Sequence, residues 1–588
     1  MVQEKKRERI GIRTVLNNSQ SRAIRFLEPV INKVTGMSKV RDLYEKRLHG
    51  CGEQEFIDRA MDALRVRFDI DSTELENIPT EGPVIVVANH PFGAHDALLM
   101  SALLKQKRND YKIMANGFFS AIEEMRDRMI LVNAFDKNNS ANSAPLRESV
   151  RHLKNGGVLG IFPSGTVSHL SLKKRRITDP EWSETLAGLV QMTGATVVPV
   201  HFSGRNSLPF NVAGLIHPML RTALLPRELL KKKGEIKVHI GRPISGAYLS
   251  SLENRKHMTD YIRMRCYLLK DRQYKERVVV GHGREADIIP EVDRVLLQND
   301  IDNLPVCNHL HSYKDFEVFY ARAEDIPNVL TEIGRLREIT FREVGEGTGR
   351  SMDIDEYDYE YLHLFVWNRQ EQEILGAYRM GEVDRLAGGG DDKLYTSEFY
   401  EYTNTFLDKY SNALEMGRSF VRKEYQKKPY SLMLLWRGIC SYVAKFPHYR
   451  YLFGAVSVSN EYDPKSRALI ANLLIDKEVN LKSRMPVNIR INKEVREYCK
   501  KYSVDNPQDI SVLVKSIEED GKDVPVLVRQ YMKLGGKFLS FCIDKEFNST
   551  LDGLIVVDLP NAPVKSLKMY MGDDIEAYLE RYKGKKGK

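Results

Sequence analysis

The stretch 88-ANHPFGAHDALL-99 decides how the first half of the chain reads. Before it, 83-PVIVVAN-89 is a continuous apolar run, the mark of a strand buried on both faces. After it, 94-AHDALLMSALLKQ-106 reads as a helix with Asp96 in its first turn. The stretch is therefore a strand-to-helix loop, and two histidines compete in it for one aspartate. Transfer of a group to a hydroxyl needs a base, and histidine is the usual one near neutral pH. A carboxylate must then hold the ring tautomer and support the imidazolium. His95 adjoins Asp96, so their side chains diverge on a helix start. His90 stands at the strand end, and Gly93 lets the loop fold back, which selects His90 as base and Asp96 as its partner. An N-cap aspartate beside a solvent-facing histidine is the plainer reading of the same residues.

Working outward, 158-VLGIFPSG-165 and 195-ATVVPVHFSG-204 are two more buried strands ending in glycine-bearing turns. Strands alternating with helical patterns predict an α/β domain with mostly parallel strands, closed by 235-EIKVHIGRPIS-245. In the first residues Ile24, Leu27, Ile31 and Val34 recur at helical spacing. The expected organisation is a helical, membrane-associating segment over 1–60, the α/β domain over 61–268, a polar linker over 269–312 and a second domain over 313–588. In the second domain 316-FEVFYARAEDIPNVLTEIGRLREITF-341 reads strand then helix. YLHLFVW and EILGAYRM flank NRQEQ as a hairpin, GGGDD (388–392) is a loop, LMLLWRGICSYVAKF is an apolar helix and YLFGAVSVS a strand. This order is α+β.

The chain has 588 residues, 42% hydrophobic and 29% charged, with net charge +9. That length exceeds one hydrophobic core, so two or more domains are expected. Basic clusters such as KKRR (173–176) and KKKGEIK (231–237) suit an anionic membrane surface or nucleic acid, and each by itself reads more simply as solvated surface charge. Six scattered cysteines without a CxxC predict neither a zinc site nor a disulfide frame, and a reducing compartment. No run approaches the roughly 20 apolar residues that span a bilayer, and the opening residues carry no signal-type apolar core.

Taken together, NHPFGAHD, FPSGTVS and VPVHFSG resemble the lysophospholipid acyltransferase family, whose blocks read NHxxxxD, FPEGTRS and VPV. The resemblance covers about 60–268 and implies a glycerolphosphate-acyltransferase-like α/β fold, with His90 and Asp96 catalytic and Ser164, Gly165 and Pro199 at the substrate. It departs in two places. Five residues separate His90 from Asp96 rather than four, and Ser164 and Val167 replace the family's glutamate and arginine. The forms NHPFG and FPSGxVS look like the branch that O-acylates amino-acid-derived lipids of the ornithine-lipid type.

In the second half LREITFREVG (336–345), DIDEYDYEYLHLFV (353–366), GAYRM (376–380) and LEMGRSFVRKEY (414–425) resemble amino-acid N-acyltransferases. More distantly they resemble acyl-homoserine-lactone synthases, which share the GNAT fold. The resemblance implies site residues Arg337, Phe341, Asp355, Asp358, Arg379, Glu415 and Arg418. Glu415 suits the role of proton acceptor for an incoming amine. Arg418 suits a carboxylate held by two hydrogen bonds, and Arg379 the ordering of the acidic loop. A buried structural ion pair is the other reading of Glu415 and Arg418.

The resemblances imply a bifunctional acyltransferase making a diacyl amino lipid, with acyl carrier protein as donor, no metal and no other cofactor. Its partners would be acyl carrier protein, an amino acid and a membrane surface, not nucleic acid. Its place would be cytoplasmic, on the inner face of the membrane. The stretch 211–233 suits a membrane interface or a helix packed on its domain. The other function the sequence allows is a lysophospholipid acyltransferase whose second half only binds carrier protein.

Overall fold

The computed structural model describes the chain except residues 1–21, 133–141, 217, 271–284, 388–392, 477, 478, 480, 488–490, 505, 519, 546–548 and 584–588. The expected loop GGGDD lies outside the described residues. The chain divides into two compact units, one of 1–274 with 492–503, the other of 275–491 with 504–588.

The first unit is built on a seven-stranded sheet. Its strands are β1 (Val66–Asp69), β2 (Val84–Ala88), β3 (Tyr111–Asn116), β4 (Met129–Val132), β5 (Val158–Ile161), β8 (Thr196–Phe202) and β9 (Gly234–Ile240), in the order β1-β9-β8-β2-β5-β3-β4. Every pairing is parallel except β8 with β9. Every residue of β2 is buried, as a strand covered on both faces requires. A small hairpin, β6 (His169–Ser171) with β7 (Arg176–Thr178), follows β5. Because β2 lies between β8 and β5, their three carboxyl ends form one edge. NHPFG, FPSG and HFSG all stand there, the usual ligand edge of an open α/β sheet.

The second unit has an eight-stranded sheet in the order β10-β11-β12-β13-β15-β16-β19-β18. The strands are β10 (His309–Tyr313), β11 (Phe316–Arg322), β12 (Leu362–Asn368), β13 (Glu373–Glu382), β15 (Ala413–Val421), β16 (Tyr451–Val458), β18 (Lys537–Asp544) and β19 (Thr550–Asp558). A separate pair joins β14 (Tyr400–Glu401) to β17 (Lys482–Ser483). The hairpin expected around NRQEQ is β12 and β13, closing at Asn368 and Glu373. Period-2 alternation assigns the faces. Val318 and Leu364 share a core with helix Pro429–Lys445, while Phe319 and Phe365 share one with helix Pro327–Glu343.

Two features depart from the expected boundaries. The described part of the polar stretch 269–312 is not a bare linker. It carries helix Arg294–Asn303, which buries Leu297 and Ile301 in the second unit's core. Helix Pro327–Glu343 has no side-chain N-cap of its own. Asp300 supplies the missing acceptor, taking hydrogen bonds from the Asn328 and Val329 amides at 2.7 and 3.0 Å. Sequence periodicity misses this helix because Val295 and Leu296 are exposed.

The second departure is helix Lys493–Lys501, which belongs to the first unit. It buries Val495, Tyr498 and Cys499. Against helix Arg255–Leu268, His257 shares a hydrogen bond with the Tyr498 hydroxyl at 2.9 Å and stacks on Tyr502 at 3.9 Å. Tyr502 also donates to Asp260 at 2.8 Å.

Candidate functional site

In the first unit, β2 delivers His90 to the sheet edge and helix Ala94–Lys105 delivers Asp96. Gly93, at φ +91°, makes the turn between them. His90 Nδ1 stands 2.8 Å from Asp96 Oδ2. The same oxygen accepts the Phe92 and Gly93 amides at 2.8 and 2.9 Å. The aspartate thus closes the helix start from the third helical position, with Gly93 at the N-cap, and also holds the histidine, which is not solvent-facing. Burial pushes the Asp96 carboxyl up, while the bonds from His90 and the two amides favour its charged form. With Nδ1 directed at Asp96, Nε2 is left to act on a substrate hydroxyl. The ring stacks on Phe162 of the FPSG block at 4.6 Å.

His95 is different. It is buried, makes an edge contact with Phe92 at 6.4 Å, and its imidazole is pushed down to about 4 by burial and by Lys232. A neutral core histidine is no partner for Asp96.

His90 opens on a cavity of about 620 Å³, within the range of small-molecule sites. Its walls are largely apolar, with Met114, Phe119, Ile161, Leu186 and Leu225 among them. Gly165, at φ +64°, lines it. Two of the expected substrate residues do not. The Ser164 hydroxyl turns back to the Thr166 carbonyl at 2.9 Å. Pro199 is buried within β8, packed against Gly241, where an added Cβ would fall 2.9 Å from its ring. The VPV block therefore builds the sheet and does not face the cavity.

Sequence reading missed the groups that hold His90 in place. Asn89 exchanges two hydrogen bonds with the Phe202 backbone, at 2.7 and 2.9 Å, tying the ends of β2 and β8. Asp179 is buried and accepts the His90 amide at 3.3 Å, the Ser168 hydroxyl, and the Trp182 indole at 2.9 Å. It thereby joins the NHPFG loop to the FPSGTVS turn, whose Ser168 amide donates to the His90 carbonyl at 2.7 Å.

In the second unit, β15 and β16 are parallel but pair only from Ala413–Tyr451 to Glu415–Phe453. Beyond that point they diverge, and Arg418 stands in the left-handed region at φ +47°. Around it the expected residues come together with one that was not expected, Asp353. Arg337 pairs with Asp353 at 3.0 Å and Asp358 at 2.7 Å. Arg379 pairs with Asp358 at 3.3 Å and with Asp355. Arg418 meets Asp355 at 3.4 Å and Asp353 at 3.7 Å. Three arginines and three aspartates thus close a ring of alternating charge. Burial would raise the Asp353 and Asp358 carboxyls, but the guanidinium groups beside them hold both below the ordinary range. Asp355 and Arg418 form the more exposed edge of the ring, at 21% and 11% against 2% or less for the others.

Glu415 lies on the same strand but is buried among donors: the Tyr361 hydroxyl, the Thr396 hydroxyl, and the Thr396 amide at 2.8 Å. Phe341, half-buried near the end of its helix, packs on the core that contains Leu336 and Ala377. Among the described residues no cluster of histidine, cysteine and acidic side chains could hold a metal.

Residues 69–203 match the acyltransferase family and residues 336–437 the acetyltransferase (GNAT) domain family. A glycine Nα-acyltransferase of Phocaeicola vulgatus is 33% identical over 267 residues, which is 42% of this chain and 80% of that protein. A lyso-glycine lipid O-acyltransferase of the same organism is 25% identical over 198 residues, 32% of this chain and 68% of that protein. Among solved structures, a CoA-dependent acyl-homoserine lactone synthase covers 45% of this chain and 87% of its own at 9% identity, with a TM-score of 0.23. The chain is an acyltransferase with an acyltransferase domain followed by a GNAT domain, and it belongs to the glycine Nα-acyltransferase family.

Proposed function

We propose that the chain makes a diacyl amino-acid lipid by two acyl transfers in series. In the GNAT unit the free amine of a small amino acid attacks a 3-hydroxyacyl thioester of acyl carrier protein, giving an amide and a free thiol. Glu415 accepts the amine proton through its hydroxyl partners, and Arg418 holds the substrate carboxylate. In the first unit His90 takes the proton of the 3-hydroxyl, whose oxygen attacks a second acyl thioester. The tetrahedral intermediate expels the thiolate, which recovers a proton from His90, leaving an ester.

The observation that carries this reading is the His90–Asp96 pair at the mouth of an apolar cavity of about 620 Å³. The relatives support it, since one chain here resembles two separate proteins of one organism whose names describe successive steps. They also favour glycine over ornithine as the amino acid. Exposed Lys423, Lys427 and Lys428, just before helix Pro429–Lys445, suit an acidic carrier-protein donor. The deciding experiment is mass spectrometry of the lipids of a host expressing the chain. An N-(3-acyloxyacyl)glycine, absent from the host alone, is expected. New phosphatidate without an aminolipid would overturn the reading in favour of a lysophospholipid acyltransferase.

The work surface in this reading is a membrane. No helix among the described residues is long and apolar enough to cross one. Helices Leu208–Ile216 and Pro218–Lys231 wall the cavity with Phe210, Leu225 and Leu229, yet leave Leu208 and Ile216 about three-quarters exposed. Apolar tips beside the basic run 231–233 are the make-up of an interfacial anchor. Replacing both Leu208 and Ile216 with glutamate should strip the protein from sedimenting anionic vesicles, and retention equal to wild type would remove this pair as the anchor.

A further inference from the structure

The cavity beside His90 contains one charge that the chemistry so far leaves idle. Arg221, on helix Pro218–Lys231, lines the cavity and is 8% exposed. Among the described lining residues it alone carries a permanent charge. The unit's other buried arginines have partners: Arg108 pairs with Asp110 at 2.6 Å, and Arg265 donates to the Tyr261 hydroxyl at 2.9 Å. Among the described residues no carboxylate pairs with Arg221. Burial depresses its guanidinium, with no neighbouring anion to offset the effect. The charge of Arg221 weighs on the nearby His169, just past the FPSGTVS turn. Gly214 makes room for the side chain, its absent Cβ lying 3.2 Å from Arg221 Cδ. A permanent cation withdrawn from water without a counter-charge is costly. The cost is recovered when the site fills with an anion.

We propose that Arg221 recognises the carboxylate of the lyso-aminolipid acceptor and makes the first unit select a free amino-acid head group over a neutral one. This rests on the two-step reading above. In an N-(3-hydroxyacyl) amino acid the carboxylate lies a few bonds from the hydroxyl that His90 must deprotonate. A guanidinium binding it would hold that hydroxyl at the ring while the acyl chain lies along the apolar wall. The planar guanidinium fork can meet both carboxylate oxygens.

The test compares initial rates of O-acylation by the full chain on N-(3-hydroxypalmitoyl)glycine and on its primary carboxamide, with palmitoyl-acyl carrier protein as donor. Wild type should prefer the acid by at least about tenfold in kcat/KM, the worth of one charged hydrogen bond. In Arg221→Gln that preference should fall to about one, through a raised KM for the acid. Arg221→Lys keeps the charge but loses the fork, so it should retain part of the preference. It supplies the reading if the glutamine variant does not fold. Three results with the variants would overturn the proposal: an unchanged preference in both variants, an equal loss on acid and amide, or a raised KM for the donor instead, which would assign Arg221 to the phosphate of the donor's prosthetic arm. Wild type acylating acid and amide alike would sink the proposal and leave the O-acylation reading intact. Wild type acylating neither, yet acylating lysophosphatidate, would sink both.

Discussion

His90→Ala should stop ester formation and spare amide formation, so that a monoacyl amino lipid accumulates. The expectation follows from geometry. Nδ1 is committed to Asp96 at 2.8 Å, which leaves the remaining ring nitrogen as the base of the proposed ester-forming step. Loss of a positioned general base costs about 10²- to 10⁴-fold in rate. In the proposed reading the amine chemistry belongs to the other unit and does not use this ring. His95→Ala is the comparison. Its imidazole is buried, neutral and away from the cavity, so the change should cost some stability and little ester-forming rate. Initial rates of both steps, read by mass spectrometry of products, decide the matter. Undiminished diacyl lipid from the His90 variant would remove it from the mechanism, and a His95 variant equally dead would transfer the role.

The second large effect is on folding. Asp358 is fully buried between Arg337 and Arg379, and asparagine there would leave two buried guanidinium groups short of an anion. Removing one partner of a buried pair costs about 3–5 kcal/mol, a large share of the 5–15 kcal/mol by which proteins are stable. Denaturant unfolding of the full chain near neutral pH should show the GNAT unit unfolding at clearly lower concentration. Glu360→Gln, which removes an exposed contact to Arg385 at 3.9 Å, should cost no more than about 1 kcal/mol. The pH dependence has a definite sign. The folded-state value of Asp358 is depressed, so its stabilisation is complete above the unfolded value of about 3.9 and is lost as pH falls below it. The gap between wild type and Asp358→Asn should therefore close in acid. A variant as stable as wild type at neutral pH would mean that the ring does not hold the unit together.

What could be read from the sequence was local. The run PVIVVAN, the hairpin flanking NRQEQ and the helix opening at Pro429 each declare themselves within a dozen residues, and His90 and Asp96 are joined by a single loop. What could not be read depends on residues meeting across long stretches of chain. Asp179 reaches the His90 amide from 89 positions away, and as one aspartate before a proline it carries no period or motif. Arg221 shows itself only as a cavity residue with which no described carboxylate pairs. Asp353 looked like any acidic loop residue until Arg337 and Arg418 were seen beside it. Glu415 was picked out by position, but its environment of hydroxyl donors, Tyr361 and Thr396, depends on loop packing that no spacing encodes. Pro199 was drawn toward the substrate by its motif, although a proline inside β8 is explained by packing alone.

Helix Lys493–Lys501 also bears on how the protein is made. It meets the strand that leads to Asp179: Arg176 pairs with Glu494 at 3.1 Å and donates to Glu497 at 3.1 Å. The ribosome finishes residue 274 long before it reaches residue 492. At about 5–20 residues per second, the interval is roughly 10 to 40 s. Through that interval the nascent first unit lacks its last helix, and the side chains of Tyr261 and His257 that will receive Tyr498 stay uncovered. The support of His90 is thus completed only after most of the second unit has been synthesised. A polypeptide released before residue 492 is left without that support.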